Sequence, residues 1–358
     1  MENKINKTVF VGMSGGVDSS LSAALLKQQG YNVVGVYMKN WTEDLPGMKC
    51  PWTDDLADAK RVAVQLGIPF RVFDFQKEYK NLVVDYMIRE YENGRTPNPD
   101  IMCNQEVKFG IFAKAALAEG ADFIATGHYA RVERDEKNFA KMLRSKNEDK
   151  DQTYFLYRVS QSALAKTLFP IGDYETKAKV REDAEKFGLA TSRKKDSQGI
   201  CFVGEVGVRE FLSNYIETKP GDIIDQDSGE KVGRHDGAIF YTFGQRHGLN
   251  IGGGLPYYVV GKSMKKNEVY VSRNLNSDEF FREKIALSDV HWISGEPDFS
   301  RKFTARFRHR GALIPCEISR ISDTEISVKV DELQRAVAAG QSVVLYDGEV
   351  CLGGGIVK

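Results

Sequence analysis

The sequence is short of cysteine, of net charge and of long apolar runs. Its 358 residues include five cysteines, with no C-x-x-C pair and no histidine cluster, which argues against a disulfide scaffold and a structural metal site. Lysine plus arginine and aspartate plus glutamate both number 50, so any nucleic-acid partner must meet local basic patches. No apolar run reaches the roughly 18 residues of a membrane span, and residues 1–7 have no signal or transit pattern. We therefore expect a cytoplasmic protein with no membrane partner.

Two widespread nucleotide-binding motifs are missing as well. There is no G-x-x-x-x-G-K-[ST] loop, and no G-x-G-x-x-G with an acidic residue about twenty positions later. Instead, a glycine-rich turn connects an apolar strand pattern at 8–11 to a helical pattern at 21–29. Such a turn directs several backbone N–H groups to one point at the positive end of a helix, which predicts a polyphosphate site. The residues of this predicted site are Gly12, Met13, Ser14, Gly15, Gly16, Val17, Asp18 and Ser19.

The rest of the first half alternates strand and helix patterns. This alternation predicts an α/β domain, with a parallel sheet covered by helices on both faces. Ligands of such sheets bind at the carboxyl ends of the strands, where the glycine-rich turn, Met38 and Gly127 all fall. Strands are predicted at 31–38, 70–75 and 123–126, and helices at 54–66 (capped by Thr53 or Asp54 and stopped by Gly67), 78–93 and 106–119.

The pattern changes in the second half. Short strands and many glycines around 219–254 indicate a small central domain. From 284 onwards, strand patterns separated by turn residues indicate a carboxyl-terminal β-barrel. The predicted domains are therefore 1–205, 206–282 and 283–358.

Cys103 has neighbours that suit thiol chemistry. It follows Asn98 and Asp100 in a segment stiffened by two prolines, just before the predicted helix at 106–119. The amino-terminal end of a helix can lower a thiol pKa, and Asp100 could serve as a general acid or base. Taken alone, the segment is more typical of a rigid turn with a buried cysteine.

Cys201 is the second candidate thiol. It follows the basic run 193–195, which would stabilise a thiolate. Alone, it too is typical of a core cysteine, which is our interpretation of the other three, Cys50, Cys316 and Cys351.

The glycine-rich turn resembles the PP-loop of the ATP pyrophosphatase superfamily, whose members cleave ATP between the α and β phosphates. Taken with further segments, it gives the chain a resemblance over its whole length to one family, the tRNA-specific 2-thiouridylases. These segments are 94–104, 125–129, 150–156, 197–202, 243–249 and 348–355.

The resemblance implies ATP-dependent 2-thiolation of the wobble uridine in the tRNAs for lysine, glutamate and glutamine. ATP with Mg²⁺ would bind at the glycine-rich turn, Met38 and Gly127, and O2 of uracil would attack the α-phosphate to release pyrophosphate. Cys201 would carry a persulfide from a cysteine desulfurase or relay protein, Cys103 would be the partner thiol, and Asp100 the acid or base. AMP would leave as sulfur reaches C2, and the expected state on tRNA is a monomer.

The resemblance also implies a set of tRNA contacts. Arg308 and His309 belong to 306–310, predicted as a basic strand with interleaved aromatic side chains that suits phosphates and stacking. His309 stands where the family often has tyrosine, and it would stack or bind phosphate. The implied contacts are Asn98, Pro99 and Asp100 at the target base, and His128, Asp151, Gln152, Thr153, Arg308, His309 and Gln341 elsewhere.

Two other functions are compatible with parts of the sequence. Another PP-loop synthetase, adenylating a carboxylate or a xanthine-type carbonyl, would explain the glycine-rich turn but give no role to Cys103, Cys201 or the β-rich third domain. An RNA-binding protein regulated by ATP would bind RNA without turnover and would tolerate Cys103→Ser. An assay with tRNA that measures both pyrophosphate and 2-thiouridine distinguishes these two functions from sulfur transfer, because only sulfur transfer forms both.

Overall fold

The computed structural model describes residues 5–44, 50–196, 207–252, 254–274, 281–335 and 337–358. Cys201, a predicted site residue, therefore lies outside the described residues. The strands are β1 (Thr8–Gly12), β2 (Asn32–Lys39), β3 (Phe70–Asp74), β4 (Phe123–Ala125), β5 (Ala130–Arg134), β6 (Ala140–Arg144), β7 (Thr167–Leu168), β8 (Gly221–Asp225), β9 (Lys231–His235), β10 (Tyr258–Ser263), β11 (Glu268–Ser272), β12 (Phe281–Trp292), β13 (Phe303–Arg306), β14 (Ile314–Ser322), β15 (Glu325–Arg335), β16 (Ser342–Asp347) and β17 (Val350–Val357). The α-helices are α1 (Val17–Gln28), α2 (Trp52–Leu66), α3 (Gln76–Tyr79), α4 (Asp85–Glu92), α5 (Pro99–Met102), α6 (Phe112–Ala118), α7 (Thr153–Leu156), α8 (Gln161–Ala165), α9 (Lys177–Lys186) and α10 (Val208–Ser213).

The amino-terminal sheet has five parallel strands in the order β3-β2-β1-β4-β7. β1 lies in the centre, and its side chains alternate between two apolar cores. Phe10 packs with Ile101 and Phe112 on one face, whereas Val9 and Val11 pack with α1 and α2 on the other. The two cores bury both faces of the sheet, which explains the continuous apolar strands. The predicted α/β domain with a parallel sheet is confirmed.

Helix α2 differs from its prediction at one end only. It begins at Trp52 rather than after a cap at Thr53 or Asp54. Asp54 and Asp55 instead lie in its first turn, where their charges interact favourably with the helix dipole. Gly67, with φ of +57°, ends the helix as predicted.

The helical segment predicted at 106–119 begins earlier, at Pro99. Asn98 caps it by accepting a hydrogen bond from the N–H of Asp100, and Pro99 takes the first helical position, which needs no N–H donor. The segment continues as a π-helical stretch, Cys103–Ile111, before α6. Cys103 therefore lies inside the helical segment, one turn after its start. Similarly, the helix predicted at 78–93 begins at Gln76 and contains a π-helical turn, Lys80–Val84.

A hairpin of β5 and β6 was not predicted from the sequence. It follows β4 of the amino-terminal sheet but joins the carboxyl-terminal sheet, where Met142 of β6 pairs with Cys351 of β17. The amino-terminal domain and the barrel therefore share one set of hydrogen-bonded strands.

The carboxyl-terminal domain is a closed barrel. Its strands run in the order β12-β15-β14-β13-β16-β17, and pairing between β12 and β17 closes the ring. Apolar side chains fill the interior, among them Leu287, Val328 and Leu345. The predicted β-barrel is confirmed.

The central domain contains a four-stranded sheet in the order β10-β11-β8-β9, with β8 and β11 parallel. Its core includes Ile223, Val259 and Val271. Strand β10 is an edge strand, and it lies on the side of the amino-terminal domain. Met264, the residue just after β10, packs against Gly94 of that domain, where a Cβ would be 3.0 Å from its Cγ. Among the described helices, none is long and apolar enough to cross a bilayer.

Candidate functional site

The glycine-rich turn lies at the carboxyl end of β1, in the centre of the parallel sheet. Gly16 is the cap residue of α1, and since glycine has no capping side chain, the first N–H groups of the helix remain available to an anion. Gly15 has a φ of +75°, and a Cβ there would lie 2.4 Å from the carbonyl oxygen of Asp55. Only glycine fits this position, so the turn has the geometry of a phosphate-binding loop.

Serine side chains brace the turn from inside. The Ser19 hydroxyl accepts a hydrogen bond from the N–H of Ser14 (3.2 Å), and the Ser20 hydroxyl donates to the carbonyl oxygen of Gly16 (2.8 Å). Ser19 and Ser20 are buried, whereas Ser14 is exposed at the tip. The buried hydroxyls therefore fix the backbone of the turn, and Ser14 is the serine best placed to reach a ligand.

Met38 and Gly127 lie against the turn. A Cβ on Gly12 would come within 2.9 Å of Cε of Met38, at the end of β2. A Cβ on Gly127 would lie 2.6 Å from the nitrogen of Ser19 and 2.7 Å from the carbonyl carbon of Asp18. Since Gly127 follows β4, the neighbour of β1, adjacent strands bring these residues together at the start of α1.

Asp18, in the first turn of α1, is held by two residues that are distant in sequence. Nζ of Lys177 lies 2.7 Å from each carboxylate oxygen of Asp18. The Tyr129 hydroxyl donates a hydrogen bond of 2.9 Å to the same carboxylate. Burial, with the adjacent charge of Asp18, raises the pKa of Tyr129, so its hydroxyl stays protonated and acts as a donor.

Asp196 extends this charge network. It contacts Lys177 (3.0 Å), Lys150 (3.0 Å) and Arg181 (2.8 Å). Burial opposes its ionisation, but hydrogen bonds from Lys150 and Lys177 outweigh burial and hold the pKa of Asp196 at about 2. With Asp18 included, three cations face two carboxylates, and this excess of positive charge beside the phosphate-binding turn suits a polyphosphate.

Lys177 and Asp196 are functional candidates that sequence reasoning missed. Lys177 is 159 residues from Asp18, so no local pattern connects them. One signal was available: Lys177 is the first residue of α9, directly after its cap residue Thr176. The helix dipole favours acidic residues at that position, and residues that violate a local rule tend to be functional.

The segment that precedes α5 lies where the three domains meet. The N–H of Thr96 donates to the carbonyl oxygen of Ala339 (2.9 Å), and its own carbonyl oxygen accepts a hydrogen bond from the side-chain amide of Gln341 (2.7 Å). The Thr96 hydroxyl lies 3.2 Å from the hydroxyl of Thr242 in the central domain. The barrel and the central domain thus both hold the backbone just before Asn98.

Asp100 is half-buried at the second position of α5. Burial raises the pKa of its carboxyl group, although the charge of Lys108 opposes this shift. A carboxyl with a raised pKa exchanges protons more readily near neutral pH, which suits a general acid or base.

Cys103 lies in an apolar cluster rather than in an open cleft. It is 4% exposed, and its cluster includes Trp41, Cys50, Tyr79 and Val84. Cys201, its predicted partner thiol, lies outside the described residues. Both cysteines remain predicted catalytic residues.

Acidic side chains neutralise part of the positive charge of the basic run 193–195, which was predicted to stabilise a thiolate at Cys201. Nζ of Lys194 lies 2.7 Å from a carboxylate oxygen of Asp55 and 2.7 Å from one of Asp58. These two acids neutralise the central cation of the run, and Arg193 pairs with Glu185 (3.0 Å). The predicted role in stabilising a thiolate therefore falls to Lys195, which is exposed.

Of the predicted tRNA contacts, Arg308 is exposed and the others are buried or half-buried. Asp151 and Thr153 are buried, and the Thr153 hydroxyl donates to Asp151 (2.9 Å). The side-chain oxygen of Gln152 accepts a hydrogen bond from the N–H of Tyr129 (2.9 Å). Gln152 therefore ties the turn before α7 to Tyr129, whose hydroxyl bonds to Asp18. Contact of Asp151, Gln152 and Thr153 with RNA stays a prediction.

The prediction of a basic strand at 306–310 is wrong in two respects. The strand ends earlier than predicted, and Arg306 is buried rather than on the surface. Strand β13 ends at Arg306, and 307–310 form a bend and a turn. The guanidinium of Arg306 lies 2.7 Å from Asp151, in a pair whose side chains are 7% and 1% exposed. The partner lies 155 residues earlier in the chain, which is why local sequence reasoning placed this arginine on the surface.

We predict that Arg306→Met destabilises the protein strongly. The change keeps most of the side-chain volume but leaves the buried carboxylate of Asp151 without its cation. Removal of one partner of a buried pair costs about 3–5 kcal/mol of unfolding free energy, which urea denaturation of the full chain would measure. Arg308→Met, at the exposed position two residues later, is the matched control and should stay within about 0.5 kcal/mol of the parent chain. Equal stability of the two variants would contradict the buried-pair interpretation.

The two predicted histidine contacts are uncharged and packed on aromatic rings. Burial, with the charge of Lys108, lowers the pKa of His128 well below its usual value, and its ring lies 6.4 Å from that of Phe169. His309 lies 4.5 Å from the ring of Phe155, and burial with two neighbouring arginines lowers its pKa to about 4. Neither imidazole attracts phosphate by charge at neutral pH, whereas stacking remains open to His309.

A parallel sheet with a glycine-rich turn at the carboxyl end of its central strand defines a nucleotide-binding domain of the PP-loop type. The turn has no lysine of its own, and Lys177 and Lys150 from other elements provide the cations beside it.

Comparison with known proteins gives the same class for the first domain. Residues 7–205 match the family described as the tRNA methyl transferase HUP domain. Residues 209–273 match the tRNA methyl transferase PRC-barrel domain, and residues 282–357 match the aminomethyltransferase beta-barrel domain.

Curated relatives cover the entire chain. The tRNA-specific 2-thiouridylase MnmA of Enterococcus faecalis is 48% identical over 364 residues, which cover 100% of this chain and 96% of the relative. The protein of the same name from Staphylococcus aureus is 48% identical over 361 residues, again 100% of this chain and 96% of the relative. A solved NMN synthetase structure from Francisella tularensis aligns with a TM-score of 0.35 at 14% identity, over 59% of this chain and 73% of that chain. The chain belongs to the tRNA-specific 2-thiouridylase family and is an enzyme of the sulfurtransferase class.

Proposed function

We propose that this enzyme transfers sulfur to C2 of the wobble uridine in the tRNAs for lysine, glutamate and glutamine, with ATP as co-substrate. The observation that carries the proposal is the phosphate-binding turn with the Asp18–Lys177 pair beside it, in a chain of this family. The relatives' names supply the substrate class, tRNA, and the reaction, 2-thiolation.

The residues that meet at the start of α1 would hold ATP. The uncapped N–H groups of α1 and the exposed hydroxyl of Ser14 face the position of the phosphates, and Met38 and Gly127 border it. Lys177 would exchange the carboxylate of Asp18 for a phosphate oxygen. Asp18 is then free to bind Mg²⁺, which usually takes one or two carboxylates together with substrate phosphates. Attack by O2 of uracil on the α-phosphorus releases pyrophosphate and turns O2 into part of a good leaving group, AMP.

The two thiols would then carry out the sulfur transfer. A cysteine desulfurase or a relay protein loads Cys201 as a persulfide, whose terminal sulfur attacks C2 while the C2–O bond breaks and AMP leaves. The Cys103 thiolate attacks the Sγ of Cys201, and the bond to the transferred sulfur breaks. The products are 2-thiouridine and a Cys103–Cys201 disulfide, which a dithiol reductant returns to two thiols. Asp100, with its raised pKa, would exchange the proton of the base.

The tRNA would bind across the junction of the three domains. Asn98, Pro99 and Asp100 border the target base in this proposal, and Arg308 contacts a phosphate from the turn after β13. His309 would stack, since its ring already lies on that of Phe155. The remaining proposed contacts must become more exposed when tRNA binds; they are His128, Asp151, Gln152, Thr153 and Gln341.

A sulfur-transfer assay tests the proposal. Purified protein is mixed with ATP, Mg²⁺, a cysteine desulfurase with cysteine, and unmodified tRNA for lysine, and both 2-thiouridine and pyrophosphate are measured. Omission of ATP and a tRNA without uridine at the wobble position are the controls. The expected result is 2-thiouridine in the complete mixture alone.

Other results of this assay would overturn parts of the proposal. If pyrophosphate forms without 2-thiouridine, adenylation by this enzyme remains supported, and the persulfide route is wrong. Absence of both, with tRNA still bound, would favour an RNA-binding protein that uses ATP only for regulation.

A further inference from the structure

We infer that the central domain supplies a second phosphate-contacting surface for the tRNA, formed by residues 241–249, with Arg246 as the contacting cation. This segment, the central loop, directly follows a short 3-10 turn, Ala238–Phe240, and precedes the strand β10 in the chain. The inference rests on the proposed function and adds to it a contact that the family resemblance did not include.

The central loop is bonded to the segment that precedes the proposed target-base residues. The hydroxyls of Thr242 and Thr96 lie 3.2 Å apart, and Asn98 follows Thr96 by two positions. At the base of the loop, Nζ of Lys262 donates to the carbonyl oxygen of Tyr241 (2.8 Å). The Lys262 stem also packs against Gly94, where a Cβ would lie 3.6 Å from Cε of the lysine. The loop therefore has a fixed position beside the site.

The fold of the loop keeps Arg246 close to this anchor. The N–H of Gln245 donates to the carbonyl oxygen of Thr242 (3.0 Å), and the Gln245 side chain accepts a hydrogen bond from the N–H of Thr242 (3.0 Å). The ends of such a four-residue turn lie within about 7 Å of each other, and the next Cα follows at about 3.8 Å. The Cα of Arg246 therefore lies within about 11 Å of the Cα of Thr242, the residue that contacts Thr96.

Arg246 has no carboxylate partner among the residues that the structure describes. Arg246 and His247 are exposed, and within the described ranges Arg246 forms no ion pair. Arg209 and Arg234 of the same domain, in contrast, pair with Asp236 and Asp222. Because the chain has no net charge, unneutralised cations at defined positions are the features that can bind a polyanion.

A second cation with no ion pair among the described residues, Arg308, is linked to Thr96 through the barrel. The Tyr154 hydroxyl contacts the carbonyl oxygens of both Phe307 and Ser342 (3.5 and 2.9 Å), so the turn that carries Arg308 lies beside Ser342. The neighbouring residue of Ser342, Gln341, is bonded to Thr96. Two cationic turns, one from the barrel and one from the central domain, are therefore both tied to Thr96, just before the proposed target-base segment. Cations from two domains close to one segment suit an RNA loop whose phosphates pass over it.

The test is the salt dependence of tRNA binding, measured by filter binding of unmodified lysine tRNA without ATP. Arg246→Ala should weaken binding about tenfold and reduce the salt slope by about one, as expected for loss of one phosphate contact. Arg246→Lys keeps the charge and should retain most of the slope. Arg234→Ala is the matched control, because Arg234 lies on β9 at the opposite edge of the four-stranded sheet; it should bind like the parent chain. Arg308→Ala should resemble Arg246→Ala, and the double variant should lose both contacts additively.

The possible failures are distinguishable. An Arg246→Ala variant with an unchanged slope, in a protein whose Arg308→Ala variant responds, would overturn the central-loop contact and leave the proposed function intact. Equal losses for Arg246→Ala and Arg234→Ala would also overturn it, because only total charge would then matter. A parent chain with no salt-dependent tRNA binding would overturn the proposed function together with this contact. Thermal melting of each variant checks that the fold is retained.

Discussion

Cys201→Ser is expected to reduce 2-thiouridine formation by about a thousandfold or more, because a serine hydroxyl cannot form or carry a persulfide. The variant should still bind ATP and tRNA, and it should still release pyrophosphate when tRNA is added, since adenylation precedes the use of the thiol. Product analysis by mass spectrometry, together with a pyrophosphate assay on the same samples, measures both steps.

Cys50→Ser is the matched control for this change. Cys50 is buried, and its Sγ lies 3.6 Å from the carbonyl oxygen of Trp41 in the cluster that contains Cys103. A serine there can keep the hydrogen bond, and we expect nearly normal sulfur transfer. If Cys201→Ser formed 2-thiouridine at the parent rate, the assignment of the persulfide to this residue would be wrong.

Asp18→Ala is expected to reduce tRNA-dependent pyrophosphate release by about 10²–10³-fold, the range seen when one electrostatic group of a preorganised site is removed. Asp18 is the carboxylate in the first turn of α1, and its loss would leave Mg²⁺ without its proposed protein ligand and Lys177 without its partner. Pyrophosphate release at saturating tRNA, with Mg²⁺ varied, is the measurement. A shift of the Mg²⁺ requirement to higher concentration would identify Asp18 as the metal ligand.

Two further variants show whether the loss is specific. Tyr129→Phe removes the hydrogen bond to Asp18 and keeps the ring, so its effect should be smaller. Glu182→Ala removes an exposed acid that pairs with lysines on α9, the helix of Lys177, and should have no effect. Unchanged pyrophosphate release in Asp18→Ala would exclude the glycine-rich turn from the reaction.

The features that sequence reasoning predicted correctly depend on neighbouring residues. The glycine-rich turn between strand and helix, and the glycine that ends α2, follow from backbone conformations that a short segment determines. The parallel sheet was predictable because its strands and helices alternate along the chain.

The features that it missed depend on residues far apart. The Asp18–Lys177 and Asp151–Arg306 pairs join positions more than 150 residues apart, and composition along the chain does not reveal such contacts. The hairpin of β5 and β6 was missed because strand propensity does not specify which sheet a strand joins. The domain boundaries at 205 and 282 and the pairing of Cys103 with Cys201 stay predictions.

The pairing of β6 with β17 has a consequence for the order in which the chain is made. Roughly 200 residues separate the two strands, and a ribosome that adds 5–20 residues per second needs about 10–40 s to synthesise them. During that time β6 presents an unpaired edge, which is a template for association with other nascent chains. The amino-terminal domain is therefore synthesised well before its sheet edge is covered, and β17 protects an edge that was formed long before β17 itself.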